Sequence, residues 1–248
     1  MRHLFGFAVL CMITGFFYTT FAQDGTGIIS ALQGAAEKRG ADDANWLSAT
    51  LKTNVASKEM VRTLPDSFAE ISLTRGTVIR LAPKTTVNMV KLYEESKDKV
   101  VTNIQVESGE VWGNVNKQNE DDVFNVDSTS VSSSIVGTIF RINSADDGST
   151  MVKVYKGNVE VSSNVKKKDT TAPNTNEPSE VNGPTEVEGP KEVTLEQWTV
   201  IVREMMQVKI DKNGNIVRMD PIDPKAAEEQ NAWAKWNQQR DAQSPVQH

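Results

Sequence analysis

Residues 108 to 161 constrain the fold more than any other stretch. They contain Ser108-Gly109-Glu110-Val111-Trp112, Phe124-Asn125-Val126-Asp127-Ser128, Ile135 to Ile142, and Met151 to Val161. Each run alternates apolar and polar residues with period two, the pattern of a strand with one buried face. The alternation places Phe124 and Val126 on one face. It does the same for Val136, Thr138, Phe140 and Ile142, and for Val152 and Val154. Turn formers separate the runs: Asp146-Asp147-Gly148-Ser149 and Lys156-Gly157-Asn158.

The same pattern extends toward the N-terminus. Gly27 to Gln33 reads as a strand closed by Gly34. Ala35-Ala36-Glu37-Lys38 alone would favour helix. Leu64-Pro65-Asp66-Ser67 is a turn. Ala69, Ile71 and Leu73 point one way and Glu70, Ser72 and Thr74 the other; Arg75-Gly76 turns the chain into Val78-Ile79-Arg80-Leu81. Val87 and Met89 open a further strand, and Glu94 to Lys99 reads as a solvated charged loop. No helical period intervenes between Gly27 and Val161. The expectation is an all-β domain over 23–161, a stack of short antiparallel strands; periodicity leaves sandwich, barrel and solenoid open.

The ends differ in character. Met1 to Ala22 has Arg2, an apolar run from Leu4 to Phe17, and Thr20-Phe21-Ala22 at the end, the layout of a secretory signal peptide. That run is short for a membrane span. The lone cysteine, Cys11, sits inside this segment, so no disulfide is expected in the remainder. Residues 162–192 carry Lys166-Lys167-Lys168, four prolines and two six-residue units, Glu180 to Thr185 and Glu186 to Lys191. They read as a disordered insertion, with a tether or binding strip as the functional alternative. Closing strands are expected over 193–220, with a hairpin through Asp211-Lys212-Asn213-Gly214-Asn215. A calcium-loop reading of those five residues lacks the further oxygen ligands.

A helix is expected over 221–242, with Asp223 as N-cap, Pro224 at the first position, and Trp233 and Trp236 sharing a face. The two indoles either dock the helix on the β domain or form a stacking site for a partner. Residues 243–248 read as a loose tail.

Function classes narrow by elimination. The formal net charge is −6, which disfavours nucleic acid. Beyond residue 22 the chain has one histidine, His248, and no cysteine. It holds no phosphate-cradling loop or serine-nucleophile elbow. Asp121-Asp122 and Asp146-Asp147 are adjacent pairs whose side chains point apart. The expectation is no catalytic residue, no metal and no cofactor. Trp46, Tyr93, Trp112, Tyr155 and Trp198 are candidate contacts, although most suit a core.

Several segments, in order, resemble a FecR-type domain. They are Ala31 to Gly34, Trp46, Val61-Arg62-Thr63, Ala69 to Leu73, Gly76 to Leu81, Gly109 to Trp112, Phe124 to Val126, Val136 to Ile142 and Val152 to Val161. The resemblance covers about residues 27 to 161 and implies an exported all-β domain. One branch of that family regulates an iron-starvation sigma factor through a cytoplasmic helical region and a membrane span. Met1 to Ala22, read as a signal peptide with neither a cytoplasmic helical region nor an internal span expected, points to the other branch, secreted proteins with a signal peptide. The expected role is an envelope interaction or signal-reception module, located in the periplasm, at the surface or in the medium. Its expected partner is an envelope protein or a cell-wall polymer. Self-association as a structural surface component is the alternative.

Overall fold

A computed structural model describes residues 26–96, 99–116, 119, 121–165 and 198–243. The strands in chain order are β1 (Gly27–Gln33), β2 (Ala36–Arg39), β3 (Leu47–Ala49), β4 (Asn54–Val55), β5 (Met60–Thr63), β6 (Phe68–Ser72), β7 (Val78–Leu81) and β8 (Thr86–Ser96). Then come β9 (Lys99–Asn114), β10 (Val123–Asp127), β11 (Val131–Ser144), β12 (Thr150–Ser163), β13 (Thr199–Arg203), β14 (Met206–Ile210) and β15 (Ile216–Pro221). Two helices close the chain, α1 (Ala227–Gln230) and α2 (Ala232–Gln243).

All fifteen strands belong to one sheet, and every pairing is antiparallel except that of β9 with β10. Three strands are long. β9, β11 and β12 have 16, 14 and 14 residues; the expected all-β, mostly antiparallel class holds, with these strands at its centre. Each long strand serves two neighbourhoods. The C-terminal half of β9 pairs with β7 and β11, and its N-terminal half with β8 and β10. One end of β12 pairs with β14, the other with β13. The sheet therefore runs β15-β14-β12-β11-β9-β7-β6-β1-β4 in one half and β13-β12-β11-β10-β9-β8-β5-β2-β3 in the other. The halves enclose a single apolar cluster that includes Ile29, Ile71, Val106, Phe140, Val159 and Ile210. The sheet does not close into a barrel.

Glycines make the corners. Gly109 has φ +87°, and a Cβ there would lie 2.7 Å from the Thr85 Cα. Gly157 has φ +82°, and its Cβ would lie 2.9 Å from the Gly137 carbonyl oxygen. Only glycine takes this backbone and this approach without strain. The extra residue at each corner shifts the side-chain phase by one. In β9 the buried positions pass from Ile104 and Val106 to Val111. In β12 they pass from Val152 and Val154 to Val159 and Val161. In β11 they pass from Val131 and Ile135 to Phe140 and Ile142, with the register shift after Val136. The expectation that Val136 shares a face with Phe140 is corrected here: Val136 lies before the shift and is 55% exposed.

Other boundaries move for local reasons. β8 runs to Ser96 and pairs it with Lys99, so much of the charged segment read as a loop is strand. β12 extends to Ser163, two residues into the expected insertion. Its remainder to 192 is described only as far as Val165. Residues 1–22, 193–197 and 244–248 also lie outside the described residues. Over 221–242, Pro221 still belongs to β15, and the Asp223 carboxylate accepts the Lys225 N–H within a turn. The cap of the long helix is Asn231, whose side-chain oxygen accepts the Ala234 N–H at 2.8 Å.

Candidate functional site

The outward face of the first half-sheet carries an unusual row. Strand register aligns Glu70 (β6) with Arg80 (β7), Arg80 with Trp112 (β9), and Trp112 with Arg141 (β11). It continues to Lys153 (β12), Gln207 (β14) and Asp220 (β15). Period two puts these side chains on the face opposite the core. In an uncovered sheet they would be solvated. Here α1 and α2 lie over the row, and Arg80 is left 1% exposed.

The helices contribute the complementary groups. Arg240 grips Glu70 with two bonds, Nε to Oε2 at 2.7 Å and Nη2 to Oε1 at 2.8 Å. Arg80 Nε donates to the same carboxylate at 2.7 Å, and Ser30 Oγ donates to it at 2.7 Å. Asp241 accepts three donors: Arg80 Nη1 at 2.6 Å, Trp112 Nε1 at 2.9 Å and Asn114 Nδ2 at 2.9 Å. Glu229 accepts Lys153 Nζ at 2.6 Å and the Tyr155 hydroxyl at 2.8 Å. Arg141 contacts Glu110 and Glu229, and Lys153 also reaches Glu228. Trp112 stacks on Tyr155, centroids 4.4 Å apart.

These partners set the ionisation. Burial pushes the Glu70 carboxyl up, but hydrogen bonds from Arg240, Arg80 and Ser30 outweigh it and hold the group at about 2. Burial and the adjacent Glu229 raise the Tyr155 phenol above its ordinary range, against the opposing pull of Arg141. The Lys153 hydrogen bond keeps Glu228 below the usual carboxylate range. Glu70 and Glu228 are thereby held as anions, not poised to exchange a proton near neutral pH.

A polar cleft of about 360 Å³ opens beside the row, lined in part by Glu110, Arg141, Lys153, Lys209 and Glu228. Its three cations face two acids from this set and Asp147 at the rim, so it offers no single-sign field for a charged ligand. Among the described residues, no three His, Cys, Asp or Glu side chains converge as a metal site.

The structure brings Trp233 and Trp236 together, centroids 5.6 Å apart. Both pack on Phe68, at 5.3 and 5.6 Å, in a cluster with Ala82 and Trp112. Trp233 is buried; Trp236 keeps part of its surface beneath the Arg240 guanidinium. Of the other aromatic candidates, Trp46 lies under Arg62 and Arg39, and Trp198 donates its indole N–H to the Gly214 carbonyl. The side chain of Tyr93 lies outside the described residues. Sequence reasoning missed Glu70, Arg80, Arg141, Lys153, Glu229 and Asp241 as members of one site. The available signal was a single charge at the centre of an apolar strand, as in Val78-Ile79-Arg80-Leu81.

Comparison with known proteins adds a family. Residues 59–160 match the family described as FecR protein. That match contains the sheet side of the charged row from Glu70 to Tyr155, while α1 and α2 lie beyond it. Two crystal structures of a candidate anti-sigma factor from Parabacteroides distasonis ATCC 8503 are similar at 19% and 18% identity, with TM-scores of 0.45 and 0.46. Each alignment covers 70% of this chain, which spans 63% and 64% of those proteins. No curated protein matches the chain.

Proposed function

We propose that this FecR-domain protein is an exported, non-enzymatic interaction module of the cell envelope, which receives a signal by binding an envelope protein. The observation that carries the reading is the buried row Glu70-Arg80-Trp112-Arg141-Lys153 under α1 and α2. It is a recognition surface made of paired charges and stacked rings, and it holds a short helix through defined partners. Its acids sit in ion pairs, and Glu70 is held as an anion, which suits binding and not proton transfer. Trp236 and the rim of the cleft are where a partner would read whether the helix is seated.

Asp241→Ala tests this. It removes the acceptor of three buried donors and is expected to cost about 3–5 kcal/mol of helix docking. Affinity capture from a detergent-solubilised envelope fraction, with the protein and with the Asp241→Ala variant, is expected to enrich one membrane protein whose recovery changes with helix seating. Equal recovery of the same background by both proteins and by an unrelated β protein overturns the proposal.

A structural, self-assembling role is the second reading. It is favoured by the exposed apolar residues of β15, Ile216, Val217 and Met219.

A further inference from the structure

β15 ends one half of the sheet, and beyond it there is no strand among the described residues. Its six residues make a longer open edge than β4 or β3, the two- and three-residue strands at the opposite end. Apolar side chains on such an edge are a liability unless something covers them.

The backbone phase of this edge is fixed. Register pairs Lys209 with Arg218, Val208 with Met219, Gln207 with Asp220 and Met206 with Pro221. The next residue, Ile222, donates its N–H to the Met205 carbonyl at 2.8 Å. Antiparallel ladders alternate, so Arg218 and Asp220 turn their backbone groups toward β14, and Met219 turns its N–H and C=O outward. Pro221 also falls on an outward position, where a missing N–H breaks no bond within the sheet.

We infer that β15 is the contact between two copies of this chain, paired antiparallel about a twofold axis at Met219. In that register Met219 and the partner's Met219 exchange both backbone hydrogen bonds. Arg218 stands opposite the partner's Asp220, and Asp220 opposite the partner's Arg218. These are the pairs without backbone bonds, where side chains come closest. The neighbouring registers of the same phase set arginine against arginine or aspartate against aspartate. The two charges thus select one register and disfavour open-ended stacking. Within a copy, Arg218 and Asp220 meet only at 3.7 Å, both well exposed, and the Asp220 Oδ1 atom is shielded without a hydrogen-bond partner. Met219 and Ile216 pair with buried Val208 and Ile210, so the joined edges continue the core side of both sheets. Such a contact is isologous and closes at two copies.

The test is sedimentation velocity on the protein as its host processes it. A short edge contact predicts a dimer with a dissociation constant on the order of 10–100 µM. Arg218→Asp and Asp220→Arg, made singly, each place two like-charged pairs across the axis. Each is expected to weaken the dimer about tenfold or more. Mixing the two variants in equal amounts restores opposite charges at both positions, and a heterodimer of near wild-type affinity is expected. An effect of either substitution confined to its own chain cannot produce that rescue. A wild-type protein that stays monomeric up to about 1 mM, far above the predicted constant, overturns the proposal. So does a dimer indifferent to both substitutions, or a mixture that fails to associate.

Discussion

Glu70 is the residue on which most of the helix–sheet junction converges. Its carboxylate is shared by a guanidinium from β7, a guanidinium from α2 and a hydroxyl from β1. A group held at about 2 against an ordinary 4.5 stabilises the fold wherever the unfolded chain is also ionised, that is, above pH 4.5. The contribution is lost as pH falls from there toward 2, because the unfolded state then takes up a proton that the native state refuses. A shift of this size corresponds to roughly 3 kcal/mol. Urea unfolding of the wild type at pH 7 and pH 3 should show about 2 kcal/mol of that loss, because pH 3 lies about 1.5 units below the unfolded value. In Glu70→Gln the amide does not titrate, so the variant should be weaker at pH 7 and lose correspondingly less on acidification. An unchanged pH dependence in the variant would remove Glu70 from the account. The two arginines matter as much as the acid. With a neutral acceptor at position 70, Arg80 remains 1% exposed with Asp241 as its counter-charge, and a buried charge that loses one of two partners is left undercompensated.

At the scale of elements, the corners decide which face of each long strand is core. Gly109→Ala puts a methyl group 2.7 Å from the Thr85 Cα at φ +87°, and it should cost about 1–3 kcal/mol. A matched Ser108→Ala, one residue earlier with an ordinary backbone, should cost well under 1 kcal/mol. Guanidinium unfolding midpoints of the two variants compare them directly. These corners also mark how far the sequence could be read. Alternation within Phe124 to Val126 or Val152 to Val154 was legible, because a half-buried strand writes its period into its residues. The change of phase at Gly109, Gly137 and Gly157 was not, because one period assigned across a glycine carries the wrong face onward, as it did for Val136. The helix was legible from Trp233 and Trp236, but its start was not. Asn231 outcompetes Asp223 as cap once Pro221 is committed to β15. The charged row was hidden for another reason. Glu70, Arg80, Trp112, Arg141 and Lys153 meet through strand register, and no single-strand pattern records how far one strand is slid against the next.

The whole molecule is one sheet bent over one core, and that predicts how it unfolds. The apolar cluster includes Ile29 of β1, Ile104 of β9 and Ile210 of β14, and β9, β11 and β12 each belong to both halves. Neither half has a core to itself. Loss of one half removes the inner face of the other and breaks three strands in the middle. Unfolding of the sheet should therefore be a single cooperative transition: far-UV circular dichroism and tryptophan fluorescence should report coincident midpoints. Two separated sheet transitions would mean the halves are independent and would contradict the shared core. The same pairing makes the sheet slow to form. β9 must find both β7 and β11, and β12 must wait for β13 and β14 from across residues 166–197. Loop closure over such separations precedes any reward from burial, so refolding should take milliseconds to seconds. α2 has only 12 residues, too few to persist alone in water, and its one acid, Asp241, and its one arginine, Arg240, find partners only on the finished sheet. In stopped-flow refolding, the change reporting Trp233 and Trp236 should trail the formation of sheet, because the row that receives the helix exists only after β6, β7, β9, β11 and β12 are in register.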